Sequence, residues 1–184
     1  MNSFDVIVAG GGAAGLSAAI FLGRAKLSVA LFDNGESSLY RVSRINNYLG
    51  FPEGVGGGEL LDLGKRQTER SGAVVIALRI DSIRVGESGF EITAESENYR
   101  STYFIVASNK RTDLAAALDL PLGGHGNRFV SVDADGRTRV ANCFAVGRIT
   151  GLPSQAVISA GDGAKTALAI IRQVRGTYYV DHDV

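Results

Sequence analysis

The chain of 184 residues is poor in cysteine: Cys143 stands alone. One thiol cannot make a disulfide framework, a thiolate zinc site or an internal Cys-x-x-Cys redox pair. Its isolation fits a reducing, cytoplasmic compartment. An excess of charge is also lacking, because 19 Lys+Arg stand against 19 Asp+Glu. No basic surface therefore points to nucleic acid or to an anionic membrane. No apolar run is long enough to cross a bilayer. The N-terminal FDVIVAGGG has neither the basic region nor the cleavage site of a secretory signal. There is no internal repeat, no low-complexity segment and no metal-ligating cluster. At 45% hydrophobic and 21% charged, the composition is that of a folded chain rather than a disordered one. The length suits one domain and is too short for two full nucleotide-binding domains.

Glycine is what the chain has in excess, 24 of 184 residues against an ordinary ~7%. Much of it lies in a few loops. The first is in VIVAGGGAAGLSAA, residues 6–19. A β-branched apolar run precedes it, helical spacing of Leu16, Ile20 and Leu22 follows, and LSVALFD reads as a second buried strand. Gly10, Gly12 and Gly15 thus form G-x-G-x-x-G between a strand and a helix, the context in which that motif carries meaning. Gly10 makes the tight turn, Gly12 lets a pyrophosphate approach the backbone, and Gly15 packs helix on strand. The phosphates would sit on the free N–H groups at the helix N-terminus. Asp33 ends the second strand 23 positions after Gly10. There it can accept both hydroxyls of an adenosine ribose, and it disfavours a 2′-phosphate. The motif and acid leave NAD and FAD both open.

The rest of the chain predicts an amphipathic helix over 58–72, a parallel strand near 73–78, a small antiparallel excursion and a return to the main sheet at 103–107. A short helix and a Pro/Gly-rich loop follow over 109–127, then strands in RFVSVD and NCFAVG and a closing helix over 154–176. The expected fold is α/β and Rossmann-like: a central parallel sheet flanked by helices, with the antiparallel excursion.

Three segments carry a resemblance. INNYLGFPEGVGGGEL (45–60) is similar to the loop-to-helix segment of the thioredoxin reductase family, YFIVAS (103–108) to the strand entering that family's Ala-Thr-Gly turn, and residues 129–164 to its C-terminal flavin-binding segment. The resemblance covers residues 4–108 and 128–176. It implies one FAD-binding domain over 1–184, with 1–108 and 128–176 forming the two halves of the FAD site and 109–127 bridging the place of an absent NAD(P)H domain. By resemblance the cofactor-binding residues are Gly10, Gly12, Ala13, Ala14, Gly15, Asp33, Asn34, Arg41, Asn47, Ala107, Gly147, Arg148, Gln155 and Ala156. Gln155 and Ala156 would bring backbone N–H groups to the flavin N1/O2 edge. The family also implies a homodimer. With no second nucleotide domain, the electron donor is expected to be external: NAD(P)H, a redox protein or a small substrate.

Two departures stand out. The family's acid after the last strand is replaced by Arg148, which has no acceptor for a ribityl hydroxyl. It either pairs with the pyrophosphate or points away. The Cys-x-x-Cys is missing, so electrons cannot pass to thioredoxin by that route. The expected function is an FAD-dependent oxidoreductase; the alternatives are a non-catalytic FAD-binding module working with a partner, or an NAD-binding domain without flavin.

Other residues have plainer readings. Cys143 reads as an inert buried side chain, His125 as a solvated loop residue, and His182 as part of the tail. Tyr178 and Tyr179 read as anchors for that tail. KRQTER (65–70) reads as a solvated helix face. Asp162 is either a support for the site or a surface acid. Tyr40, Arg41 and Arg44 lie in the loop where the family contacts its cofactor.

Overall fold

The computed structural model describes residues 2–182. Strand β1 (Asn2–Ala9), helix α1 (Ala13–Arg24) and strand β2 (Val29–Phe32) form the expected βαβ unit, with β1 and β2 parallel. A 3₁₀ turn at Ser38–Arg41 interrupts the loop that follows, and helix α2 spans Gly57–Arg70. Strand β3 (Val74–Ile76) runs parallel to β2. Strands β4 (Ser82–Gly86), β5 (Gly89–Ala94) and β6 (Glu97–Val106) make the antiparallel excursion.

The excursion is not a separate sheet. β6 is long enough to serve two layers of pairing: along one edge it runs parallel to β1, while its other edge pairs with β5 in its first half and with β9 (Cys143–Ala145) in its second. These seven strands therefore join in one sheet of order β3-β2-β1-β6-β5-β4, with β9 on β6. Short helix α3 (Asp113–Ala117) and the two-residue strands β7 (Leu122–Gly123) and β8 (Phe129–Val130) occupy the bridge and its exit. The strand expected in RFVSVD is corrected here: β8 pairs only with β7, outside the main sheet. Helix α4 (Ala156–Arg175) closes the chain and ends at Gly176, whose φ of +70° suits the left-handed C-terminal position.

Alternate residues of the inner strands face opposite sides, as the period of two requires. Val6, Val8, Leu31, Ile105 and Phe144 pack under α1 and α4. Ile7, Ala30, Phe32, Phe104 and Val106 pack with α3 and the excursion. Both faces are buried, which accounts for the near-continuous apolar runs in β1 and β2. The tail folds back on its own chain: Asp181 pairs with Arg24, and Arg175 lies 5.0 Å from the Tyr179 ring. Tyr179 packs on the core, but Tyr178 is 81% exposed and anchors nothing. No helix among the described residues is long and apolar enough to cross a membrane.

Candidate functional site

The carboxyl ends of β1, β2, β6 and β9 meet at one edge of the sheet. The chain leaves β1 with β2 on one side and β6 on the other, the switch point at which open α/β sheets bind ligands. A cavity of about 520 Å³ opens there, a size suited to a small-molecule site.

The glycines of the motif do different jobs. Gly10 has φ +123°, and a Cβ on it would stand 2.4 Å from the Ala107 carbonyl oxygen. Backbone conformation and backbone contact both demand glycine. A Cβ on Gly15 would lie 1.9 Å from the Gly10 carbonyl oxygen, so Gly15 lets α1 close on β1. Gly11 makes room for Asp33, whose Cγ would be 2.3 Å from an added Cβ. Gly12 is the exception. Its φ is −81°, and its nearest neighbour to an added Cβ is the Ser37 hydroxyl at 3.6 Å. Neither backbone nor packing requires glycine at 12. The space beside it belongs to the cavity. Gly12 is the N-cap of α1, and its carbonyl accepts the first helical bond from Leu16 at 3.0 Å. The N–H groups of Ala13, Ala14 and Gly15 have no partner within the helix, and they carry the positive end of its dipole.

Asp33 lies at the cavity wall beside Asn34, its side chain 3% exposed. Its Oδ1 accepts the Gly35 N–H at 3.1 Å, and Lys65 Nζ stands 2.6 Å from Oδ2. This corrects the solvated reading of residues 65–70: Lys65 turns inward to Asp33, and Thr68 is fully buried, donating to the Gly64 carbonyl at 2.9 Å. Burial pulls the Lys65 ammonium down, but the Asp33 carboxylate and then the Tyr40 hydroxyl outweigh it, and its pKa is raised.

Another wall comes from Val146 just after β9, Arg148 of the 3₁₀ turn at Gly147–Thr150, and the start of α4. Arg148 lines the cavity. Its Nη1 donates to the Leu152 carbonyl at 2.9 Å, its guanidinium lies 5.5 Å from the Phe129 ring, and its Nε is buried with no partner. Among the described residues no carboxylate pairs with it. Gly147 takes φ +74°, and its N–H donates to Asp162 Oδ2 at 2.7 Å. Asp162 is nearly buried and pairs with Lys165 through Oδ1 at 2.9 Å. Asp162 is thus a support of the turn that carries Arg148. Gln155 and Ala156 line the cavity at the N-terminus of α4. Asn47 lies outside the lining and donates to Gln155 Oε1 at 3.0 Å.

The sequence pattern missed a third wall. Ser108, Asn109, Lys110 and Arg111, with Asp113, line the cavity next to Ala107. Arg111 bonds Glu36 at 3.2 Å and Asp113 at 2.7 Å, and Arg79 bonds Asp113 at 3.2 Å. Three segments distant in sequence are linked at the rim by these ion pairs. Arg41 lines the cavity and Arg44 does not. Cys143 is buried in the core, where burial pushes its thiol up to about 12. His125 and His182 are exposed, away from the cavity. Among the described residues no cluster of His, Cys, Asp or Glu could hold a metal ion.

Fold and site together define an α/β protein with a glycine-lined cavity at the carboxyl ends of its parallel strands. Residues 5–41 match the family model described as an FAD binding domain, and FAD is the cofactor that the match supports. Thioredoxin reductase of Chlamydia trachomatis is 29% identical over 99% of this chain and 58% of its own length. The chain therefore spans a little over half of that relative. Two solved structures share the fold. The first, a thioredoxin reductase from Gloeobacter violaceus, has TM-score 0.88 and 16% identity, with 100% of both chains covered. The second, the atypical thioredoxin reductase TRi from Desulfovibrio vulgaris Hildenborough, has TM-score 0.83 and 20% identity, with 93% of this chain and 98% of that one covered. The chain is thioredoxin-reductase-like in sequence and in fold.

Proposed function

We propose that the chain is an FAD-dependent oxidoreductase acting as one FAD-binding domain over 1–184. Residues 1–108 and 128–176 form the two halves of its site, and 109–127 stand in place of an NAD(P)H domain. The observation that carries this is Gly12, a glycine that the fold does not need and that leaves room at the helix N-terminus for phosphate. Arg148 supports it. A part-buried guanidinium with no carboxylate partner is costly on its own, and a pyrophosphate is a counter-ion that its fork fits.

The residues fit the cofactor from end to end. The N–H groups of Ala13, Ala14 and Gly15 hold the phosphates, and Asp33 holds the ribose hydroxyls, with Asn34, Arg41 and Ala107 beside them. Gln155 and Ala156 bring the positive end of α4 to the flavin end, where it stabilises negative charge. Asn47 acts through Gln155, and Gly147 acts by shaping the turn. When bound, FAD supplies two-electron transfer; the protein supplies position and electrostatics. These 184 residues hold a single buried thiol, so electrons do not leave the flavin through an internal disulfide; they come from an external donor, NAD(P)H or a redox protein. The lone reduced cysteine supports a cytoplasmic setting. The family resemblance supports a homodimer, which light scattering would test.

The experiment is the visible absorption spectrum of the purified chain, followed by addition of NAD(P)H. Flavin bands near one per chain are expected. A protein that stays colourless after incubation with FAD, yet binds NAD, would overturn the proposal. Bands that bleach only when a second protein is added would point to a binding module that depends on its partner.

A further inference from the structure

We infer, on the reading of the cradle as an FAD site, that Lys65 is a positioning residue: it fixes the Asp33 carboxylate for the adenosine ribose. Lys65 lies on α2, in a charge run whose composition marks no site. Its ammonium nonetheless stands 2.6 Å from Asp33 Oδ2 and 3.0 Å from the Tyr40 hydroxyl, and 5.6 Å from the centre of the Tyr40 ring. Its side chain is 27% exposed, against 3% for Asp33.

Lys65 is absent from the cavity lining, whereas Asp33 belongs to it. The cation therefore reaches a ligand only through the acid. Asp33 is gripped at both oxygens, by the Gly35 N–H and by Lys65. Oδ2 is buried against the ammonium, and Oδ1 keeps a further lone pair for a hydroxyl donor. Without Lys65 the acid would be a buried charge lacking a counter-ion, free to rotate or to draw in water. With it, the acceptor geometry exists before the ligand arrives, and the hydroxyls find a fixed, charged acceptor. The same ammonium draws in Tyr40, whose neighbours Leu39 and Arg41 line the cavity. One side chain thus ties α2 and the 3₁₀ turn to the end of β2.

A structural tie and a positioning role differ in what they do to ligands with and without ribose hydroxyls. In the full chain, bound FAD is displaced with ADP and with 2′,3′-dideoxy-ADP, which carries the same base and phosphates. The ratio of the two displacing concentrations isolates the hydroxyl contacts. We expect ADP to be favoured about tenfold or more in the wild type, as a bond to a charged acceptor warrants. The ratio should fall close to one in Lys65→Met and in Asp33→Asn, with no further fall in the double variant, and Lys65→Arg should restore most of it. If Lys65→Met does not fold, Tyr40→Phe replaces it, with a loss of roughly two- to threefold in the ratio. A Lys65→Met protein that binds both ligands more weakly but keeps the ratio would overturn the inference. So would additive losses in the double variant. A wild-type chain that binds neither FAD nor ADP would overturn the FAD reading itself, before Lys65 is reached.

Discussion

Replacing Gly12 by alanine separates a ligand cradle from a packing turn. The added Cβ would meet nothing nearer than the Ser37 hydroxyl at 3.6 Å, an ordinary contact, and the φ of −81° is open to any L-residue. Two small terms act on the fold. Alanine restricts the unfolded chain, which stabilises by about 0.4–1 kcal/mol; it is also a poorer N-cap than glycine, which costs roughly 0.5–1 kcal/mol. They nearly cancel, so the melting midpoint should move by no more than about 4 °C. Binding has no such compensation. The methyl group enters the space beside the free N–H groups of α1, and losing one or two charge-assisted bonds at ~1.5–3 kcal/mol each weakens FAD by at least about tenfold. Gly15→Ala is the contrast. Its Cβ would fall 1.9 Å from the Gly10 carbonyl oxygen, and overpacking of that kind costs about 1–3 kcal/mol or more. Flavin titration by fluorescence quenching and thermal melts of both variants are the assay. A Gly12→Ala protein that binds FAD like the wild type would refute the cradle. One that melts far below it would refute the local geometry.

Arg148→Ala should weaken FAD by about tenfold or more, and Arg148→Lys should recover only part of this because an ammonium lacks the planar fork; unchanged titration curves for Arg148→Ala would remove the pyrophosphate role. Asp162→Ala leaves the Gly147 N–H without its acceptor and Lys165 without its partner, and should cost about 1–3 kcal/mol in chemical denaturation. The Cys143 thiol is pushed up from an ordinary 9.0 to about 12 by burial. The unfolded chain gives up that proton first, so the contribution is intact below about pH 8.5 and is lost as the pH rises towards 12. Denaturation at pH 8 and pH 10.5 should therefore show a steeper loss for the wild type than for Cys143→Ala; equal losses would contradict the burial of the thiol.

The half of the site that touches backbone was the half legible in the sequence. Gly10, Gly15 and Gly147 sit where φ or a close approach leaves little choice of residue, so their pattern survives as a motif. The buried strands around them show as apolar runs because both faces of the sheet are covered. Asp33 was legible because a strand end fixes its place. Lys65 was not, because a lysine in a run of charges looks the same whether it faces water or an acid 32 positions earlier in the chain. The bridge wall was hidden for a related reason: Arg111, Asp113, Glu36 and Arg79 find one another only after β2, β3 and β6 are aligned. β8 was over-read because its pairing with β7 is set by the bridge and not by its own alternation. Each of these rim pairs is largely exposed, so none adds much to stability alone. What the pairs have in common is position. Glu36, Arg79, Arg111 and Asp113 all line the same cavity as Asp33, and Lys65 meets that acid from outside the lining. The polar contacts invisible in the sequence thus gather around the cavity into which the glycine motif opens.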